Sequence, residues 1–117
     1  MIYFEGQGVR HIKAVTADDI KSTVLQTPGP AVLDFYAASC APCGALEPRL
    51  ERVAAQYAGT VSVYRVDAER EPAVIRSFHV TSVPTVIFFK AGKEVARLDG
   101  LITERDLKAA FEEAISR

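Results

Sequence analysis

The pattern of apolar and polar residues predicts that strands and helices alternate along most of the chain. Residues 31–37 are almost continuously apolar, as in a strand that is covered on both faces. Residues 11–15 alternate between polar and apolar side chains, which predicts a short strand at or near a sheet edge. A third strand is predicted over 61–67. Two more, over 85–89 and 94–98, form a hairpin that turns at Ala91 and Gly92.

Helical spacing of apolar residues, together with suitable capping residues, predicts four helices. The second helix is expected to run to about residue 58, with a kink at Pro48 and a glycine cap at Gly59. The last helix opens on Thr103 with Asp106 three residues later, which resembles a capping box. The predicted helices begin at Thr16, at Ser39 or Cys40, at Pro72 and at Thr103.

This order of elements predicts an α/β fold with a mixed sheet. Strands joined by crossover helices pair in parallel, whereas the strands of a hairpin pair antiparallel. A chain of 117 residues has room for one hydrophobic core. We therefore expect a single domain over residues 10–117, preceded by a loose N-terminal extension over residues 1–9.

Composition and charge narrow the possible functions. The content of 49% hydrophobic and 25% charged residues is typical of a globular protein. A net charge of −1, with the basic residues dispersed, disfavours a nucleic-acid partner. No apolar segment approaches the ~20 residues that span a bilayer, and the N-terminus lacks the features of a signal peptide. We therefore expect a soluble, cytoplasmic protein with no membrane partner.

Cys40 and Cys43 are the only cysteines of the chain and its strongest candidates for chemistry. A bridge across so short a loop stabilises a fold little, and this spacing in a strand–helix context points to redox chemistry. At the start of a helix, free N–H groups and the helix dipole favour the thiolate of Cys40 over its thiol. Cys43 lies one turn further on, within disulfide reach, which suits a resolving thiol. Pro42 costs no helical hydrogen bond in the first turn.

Two other interpretations of the cysteine pair remain open at this point. The cysteines could be two small buried apolar residues. They could also be half of a zinc site, but tetrahedral zinc needs four ligands. Only His11 and His79 remain to complete such a site, and no paired spacing joins them. We therefore expect no metal.

Several separated motifs occur along the chain: Asp34-Phe35-Tyr36-Ala37, Cys40-Ala41-Pro42-Cys43, Pro48, Val83-Pro84-Thr85, Gly92 and Gly100. In their order and spacing, over about residues 10–117, these motifs resemble the thioredoxin family. The resemblance implies a thioredoxin fold, with a central mixed five-stranded sheet flanked by four helices, and a cis peptide bond before Pro84. It also implies no bound cofactor beyond a redox-active disulfide between Cys40 and Cys43.

The resemblance also implies roles for individual residues. Cys40 is the nucleophile, Cys43 the resolving thiol, and Asp34 the proton acceptor for Cys43. A carboxylate in an apolar strand is costly to bury, so its pKa is expected to be raised. Arg65 stands where the family often keeps a lysine, and is a candidate partner for this acid. The expected substrate-binding residues are Ser39, Ala41, Pro42, Val83 and Pro84, with the backbone of Val83 pairing with an extended substrate.

Three residues depart from the family pattern. Ser39 stands where the family usually has tryptophan, Ala41 replaces the usual glycine between the cysteines, and Tyr36 replaces a common tryptophan. The aromatic surface beside the site is therefore expected to be smaller, which should alter docking of the reductase and of protein substrates.

The sequence as a whole predicts a thiol–disulfide oxidoreductase that acts mainly as a protein disulfide reductase, as a monomer. Its expected partners are proteins that contain disulfides, and a thioredoxin reductase or an equivalent electron donor. One alternative is an oxidase or isomerase on the same fold. Another is a non-catalytic, redox-sensing binding module.

Overall fold

The computed structural model of the protein describes residues 10–117, so the loose extension predicted for residues 1–9 lies outside the described residues. Within the described range, five strands and four helices follow one another in the predicted order. Their bounds are β1 Ile12–Ala14, α1 Ala17–Thr23, β2 Pro30–Tyr36, α2 Ala41–Gln56, β3 Ser62–Asp67, α3 Pro72–Ser77, β4 Thr85–Lys90, β5 Lys93–Asp99 and α4 Glu104–Ser116.

The five strands form one mixed sheet in the order β1-β3-β2-β4-β5. Strand β3 pairs in parallel with both β1 and β2, whereas β4 pairs antiparallel with both β2 and β5. The short strand β1 therefore lies at an edge, and β2 is the central strand. This arrangement confirms the predicted fold class, a mixed five-stranded sheet flanked by four helices.

Each face of the sheet packs against a different pair of helices. On one face, Val32 of β2 belongs to a core that includes buried residues of α2 and α4, such as Leu50 and Phe111. On the other face, Leu33 belongs to a core with Ile20 of α1 and other residues of the α1 and α3 side. Successive residues of a strand point to opposite faces, and both faces of β2 are covered. This explains why β2 is almost continuously apolar.

Helix ends show where local sequence patterns decide the structure and where they do not. Thr103 and Asp106 form the predicted capping box of α4. Thr16 is the N-cap of α1, but its hydroxyl donates to the carboxylate of Asp19 at 3.1 Å and makes no cap bond to the backbone. Helix α2 ends at Gln56, two residues before the predicted end, and it contains Pro48 within a single helix. The kink at Pro48 stays a prediction.

The hairpin turn between β4 and β5 requires glycine at position 92. Gly92 has a φ of +81°, and a Cβ atom built there would lie 2.5 Å from the carbonyl oxygen of Leu25. The turn therefore lies directly against the loop that precedes β2, where a side chain would force two backbone segments apart. Gly100 also has a positive φ, +74°, but nothing lies within 4 Å of a Cβ atom built there.

We expect Gly92→Ala to destabilise the protein clearly more than Gly100→Ala. Gly100→Ala should cost ~1–2 kcal/mol, because only the left-handed backbone conformation penalises it. Gly92→Ala should cost a further ~1–3 kcal/mol for overpacking against Leu25. Urea unfolding of both variants measures this difference, and equal losses of stability would contradict the close approach at Gly92.

Candidate active site

The two cysteines form a disulfide at the N-terminus of α2. Cys40 is the N-cap residue, with an extended backbone at φ −93° and ψ 107°, and Pro42 occupies the first turn. Cys43 lies one turn into the helix, with its Cα atom 5.3 Å from that of Cys40. The backbone N–H of Cys43 donates to the Sγ atom of Cys40 at 3.1 Å. The same N–H can stabilise a thiolate on Cys40 after reduction.

The two sulfur-bearing residues differ in their access to solvent. Cys43 is buried, with 6% of its surface exposed. Cys40 is half-buried, and its neighbours Ala41 and Pro42 are exposed. An incoming disulfide can therefore reach Cys40 first. This asymmetry agrees with the assignment of Cys40 as nucleophile and Cys43 as resolving thiol.

The segment just before β4 lies against Cys40. The Sγ atom of Cys40 is 3.7 Å from the carbonyl oxygen of Val83, and the peptide bond between Val83 and Pro84 is cis. Val83 is half-buried, Pro84 is buried, and β4 begins at the next residue. The structure thus brings Val83 and Pro84, two of the residues expected to bind a substrate, next to Cys40.

Asp34 is buried in the centre of β2. Only 4% of the residue is exposed, and its Oδ1 atom has no hydrogen-bond partner among the described residues. Burial raises the pKa of Asp34 to about 7; the positive charge of Arg65 opposes this rise, and the negative charge of Glu47 adds to it. At neutral pH the carboxyl group is therefore poised to release or accept a proton.

Arg65 lies beside Asp34 in the sheet but does not bind it. The two residues are register partners in the parallel pairing of β2 and β3. The guanidinium group of Arg65 instead lies over the ring of Tyr36, 3.8 Å from its centroid, and its Nη1 atom donates to Glu47 at 2.9 Å. Arg65 is therefore a cation near Asp34 but makes no hydrogen bond to it. Its ion-pair partner is Glu47.

Ser39 occupies the rim of the site. Its hydroxyl donates to Glu69 Oε2 at 2.9 Å, and both residues are exposed. Beside them, a groove runs past Cys40 and Val83 and includes the apolar side chains of Ile75 and Val80. A small hydroxyl and a carboxylate therefore stand at this edge, where the family pattern would put a large aromatic ring.

Sequence reasoning missed two residues of the site, Glu47 and Glu69. Glu47 was open to inference, because it follows Cys43 by four residues and so lies on the same face of α2. Glu69 gave no such signal, because its contact with Ser39 joins residues 30 positions apart. Predicting that contact requires knowledge of how the end of β3 meets the end of β2.

Neither metal ligation nor a membrane-spanning helix is found in the described part of the chain. Over residues 10–117, no group of three or more His, Cys, Asp and Glu side chains could hold a metal ion. Nor does any helix in this range have the length and apolar character to cross a membrane. His11, considered as a zinc ligand at the sequence level, lies 2.6 Å from Glu51 through its Nδ1 atom.

Comparisons with known proteins agree with this geometry. The Thioredoxin family model matches residues 11–113. Thioredoxin from Mycolicibacterium smegmatis is 40% identical over 89 residues, which cover 74% of this chain and 80% of that protein. Thioredoxin M-type, chloroplastic, from Spinacia oleracea is 28% identical over 110 residues, or 94% of this chain, but the chain spans only 61% of that protein's length. A mutant thioredoxin from Halobacterium salinarum NRC-1 has a similar structure, with a TM-score of 0.81 and 28% identity over 90% of this chain and 91% of that one.

We expect the stability of the oxidised protein to fall as pH rises from about 4 to about 7, and Asp34→Asn to remove this fall. In that window the native state holds a proton on Asp34 that the unfolded chain has released, so raising the pH favours unfolding. A native pKa of about 7 against 3.8 in the unfolded chain corresponds to a loss of roughly 4 kcal/mol in the free energy of unfolding once Asp34 is fully ionised. Urea unfolding at several pH values measures the slope. Equal slopes for both proteins would contradict the raised pKa.

Proposed function

Since the chain belongs to the thioredoxin family, we propose that it is a thiol–disulfide oxidoreductase that acts mainly as a protein disulfide reductase. One observation carries this proposal: a disulfide at a helix N-terminus joins an accessible Cys40 to a buried Cys43. The Sγ atom of Cys40 lies 3.7 Å from the carbonyl oxygen of Val83. Neither a structural bridge nor a pair of core residues requires this difference in exposure. A two-step exchange reaction does.

In the first step, the thiolate of Cys40 attacks one sulfur of a substrate disulfide. A bond forms between Cys40 Sγ and that sulfur, the substrate S–S bond breaks, and the other substrate sulfur leaves as a thiolate that takes up a proton from solvent. The N–H of Cys43 and the N-terminus of α2 stabilise the attacking thiolate. Val83 and Pro84 hold the substrate segment beside Cys40, and Ser39, Ala41 and Pro42 supply the exposed surface around it.

In the second step, Cys43 resolves the mixed disulfide. Asp34 accepts the proton of the Cys43 thiol, and the resulting thiolate attacks Cys40 Sγ. The Cys40–Cys43 bond forms while the mixed disulfide breaks, so the substrate leaves with both sulfurs reduced. A pKa of about 7 makes Asp34 a stronger base than an exposed aspartate, and it remains partly ionised at neutral pH.

Each cycle leaves the protein oxidised, so two electrons must come from an external donor. We propose a thioredoxin reductase or an equivalent dithiol donor as that partner. The cysteine pair itself carries the electrons, and the steps above require no bound cofactor or metal. A reductase of this kind works where thiols are kept reduced, and the cytoplasm is such a compartment.

We expect the wild-type protein to catalyse insulin reduction with dithiothreitol, and Cys40→Ser to abolish this catalysis. Cys43→Ser keeps the nucleophile but lacks the resolving thiol, so it should accumulate a mixed disulfide with substrate. Turbidity of the released insulin chain and mass spectrometry of the adduct measure these outcomes. Without turnover by the wild type, the non-catalytic, redox-sensing module becomes the better description.

Equilibrium with glutathione tests the direction of the reaction. We expect a reduction potential near the roughly −270 mV typical of thioredoxins, rather than near the roughly −180 to −120 mV of isomerases and strong oxidants. The fraction of disulfide is measured by thiol alkylation and mass spectrometry across a series of glutathione ratios. A potential in the higher range would identify an oxidase or isomerase with the same catalytic residues.

A further inference from the structure

Glu47 lies at the centre of the charged groups beside the cysteine pair, and the two-step reaction proposed above gives it no part. It projects from α2 one turn after Cys43. Together with Tyr36, Arg65 and both cysteines, it lines a groove beside the disulfide. The inference below rests on the proposed function, because it concerns the step in which Cys43 gives up its proton.

The sheet places Asp34 and Arg65 where a direct ion pair would be expected. Asp34 alternates with Val32 on β2, and Arg65 alternates with Val63 on β3, so all four side chains point toward the α2 face. Asp34 and Arg65 are also register partners. A buried carboxylate beside a guanidinium group usually accepts its forked hydrogen bonds.

This pair does not form, and each group keeps an unsatisfied atom. Oδ1 of Asp34 and Nε of Arg65 are both buried and without a hydrogen-bond partner among the described residues. The guanidinium group is held elsewhere, 2.9 Å from Glu47 and 3.8 Å above the ring of Tyr36. A competing partner therefore keeps the cation away from an available acceptor.

Glu47 is itself held in place from the other side. Its Oε2 atom accepts from Arg10 at 2.7 Å as well as from Arg65 at 2.9 Å. Arg10 extends the network to Glu51, at 3.7 Å, and Glu51 also accepts from the backbone N–H of His11 at 2.9 Å. Two guanidinium groups on one carboxylate oxygen restrict the position of Glu47, and through it that of Arg65.

We propose that Glu47 is a positioning residue for the resolving step: it binds Arg65 and thereby leaves the carboxylate of Asp34 free to accept the proton of Cys43. The charged groups that act on Asp34 are Arg65 from β3, which favours its ionised form, and Glu47 from α2, which disfavours it. From β4, the register partner of Asp34 is the uncharged Val86. Removing the Glu47 charge leaves Asp34 as the remaining acceptor beside Arg65. An aspartate that is paired with arginine is a weaker base.

The test is a double-mutant cycle with a direct measure of Asp34 ionisation, by ¹³C NMR titration of its carboxyl group in the reduced protein. In Glu47→Gln we expect the midpoint to fall by about one pH unit or more, as for a carboxylate that gains a cation partner. In an Arg65→Gln background, Glu47→Gln should shift the Asp34 midpoint by at most about half as much, because the guanidinium group that would pair with Asp34 is absent. Equal shifts in both backgrounds, or no shift in either, would overturn the proposal.

Glu51→Gln is the matched control. Glu51 belongs to the same network and lies on the same helix, but its described partners are Arg10 and His11, so its removal should leave the Asp34 midpoint unchanged. A shift as large as that of Glu47→Gln would show a general effect of charge and would overturn the proposal.

The pH profile of insulin reduction connects the titration to the reaction. In Glu47→Gln the acidic limb of this profile should move to lower pH by the same amount as the Asp34 midpoint, and the plateau at high pH should fall about threefold, as for a base weakened by one pH unit. An unchanged profile with a shifted midpoint would overturn the role in the resolving step. Absence of turnover in the wild type would instead refute the proposed function, while the carboxyl titration would still decide whether Glu47 positions Arg65.

Discussion

The site is built around one constraint, the burial of the Asp34 carboxyl group in the central strand, which lowers the stability of the fold. Strand β2 pairs on both sides and contributes apolar side chains to both cores, so an ionisable group at its centre has little access to water. Proteins are stable by only ~5–15 kcal/mol, and an uncompensated buried charge consumes a sizeable part of that margin. Packing alone disfavours this residue, whereas the proposed reaction gives it a chemical role.

The groups around Asp34 moderate this constraint without removing it. Arg65 is near enough to favour the charged form, yet it stacks on Tyr36 and pairs with Glu47. A direct ion pair would stabilise the fold but would also hold the carboxylate permanently ionised. Because Arg65 lies nearby without binding Asp34, the carboxyl group of Asp34 can hold its proton or release it near neutral pH. On the exposed side of the site, Ser39 and Glu69 bind each other, and neither makes a hydrogen bond to Asp34, Arg65 or Glu47.

Features that depend on neighbouring residues were predictable from the sequence. The apolar run of β2, the turn at Gly92 and the capping box of Thr103 each follow from a few adjacent positions. The cysteine pair was recognisable for the same reason. The Arg65–Glu47 ion pair was not, because it joins residues 18 positions apart and depends on which of several long side chains prevails. Competition between side chains also limits prediction over a short distance, because the hydroxyl of Thr16 donates to the carboxylate of Asp19, three residues away, instead of capping the helix backbone.

In the proposed reaction, the unequal burial of the two cysteines also determines how long a partner stays attached. A protein captured in that reaction is joined through the accessible Cys40, and the thiol nearest to that bond belongs to Cys43 of the same chain, whose Cα atom is 5.3 Å away. Attack from within the chain proceeds at an effective concentration that external thiols do not reach. The lifetime of the covalent complex is therefore an internal property of the protein. It stays nearly the same whether partners are scarce or abundant, and whether the surrounding thiol pool is dilute or concentrated.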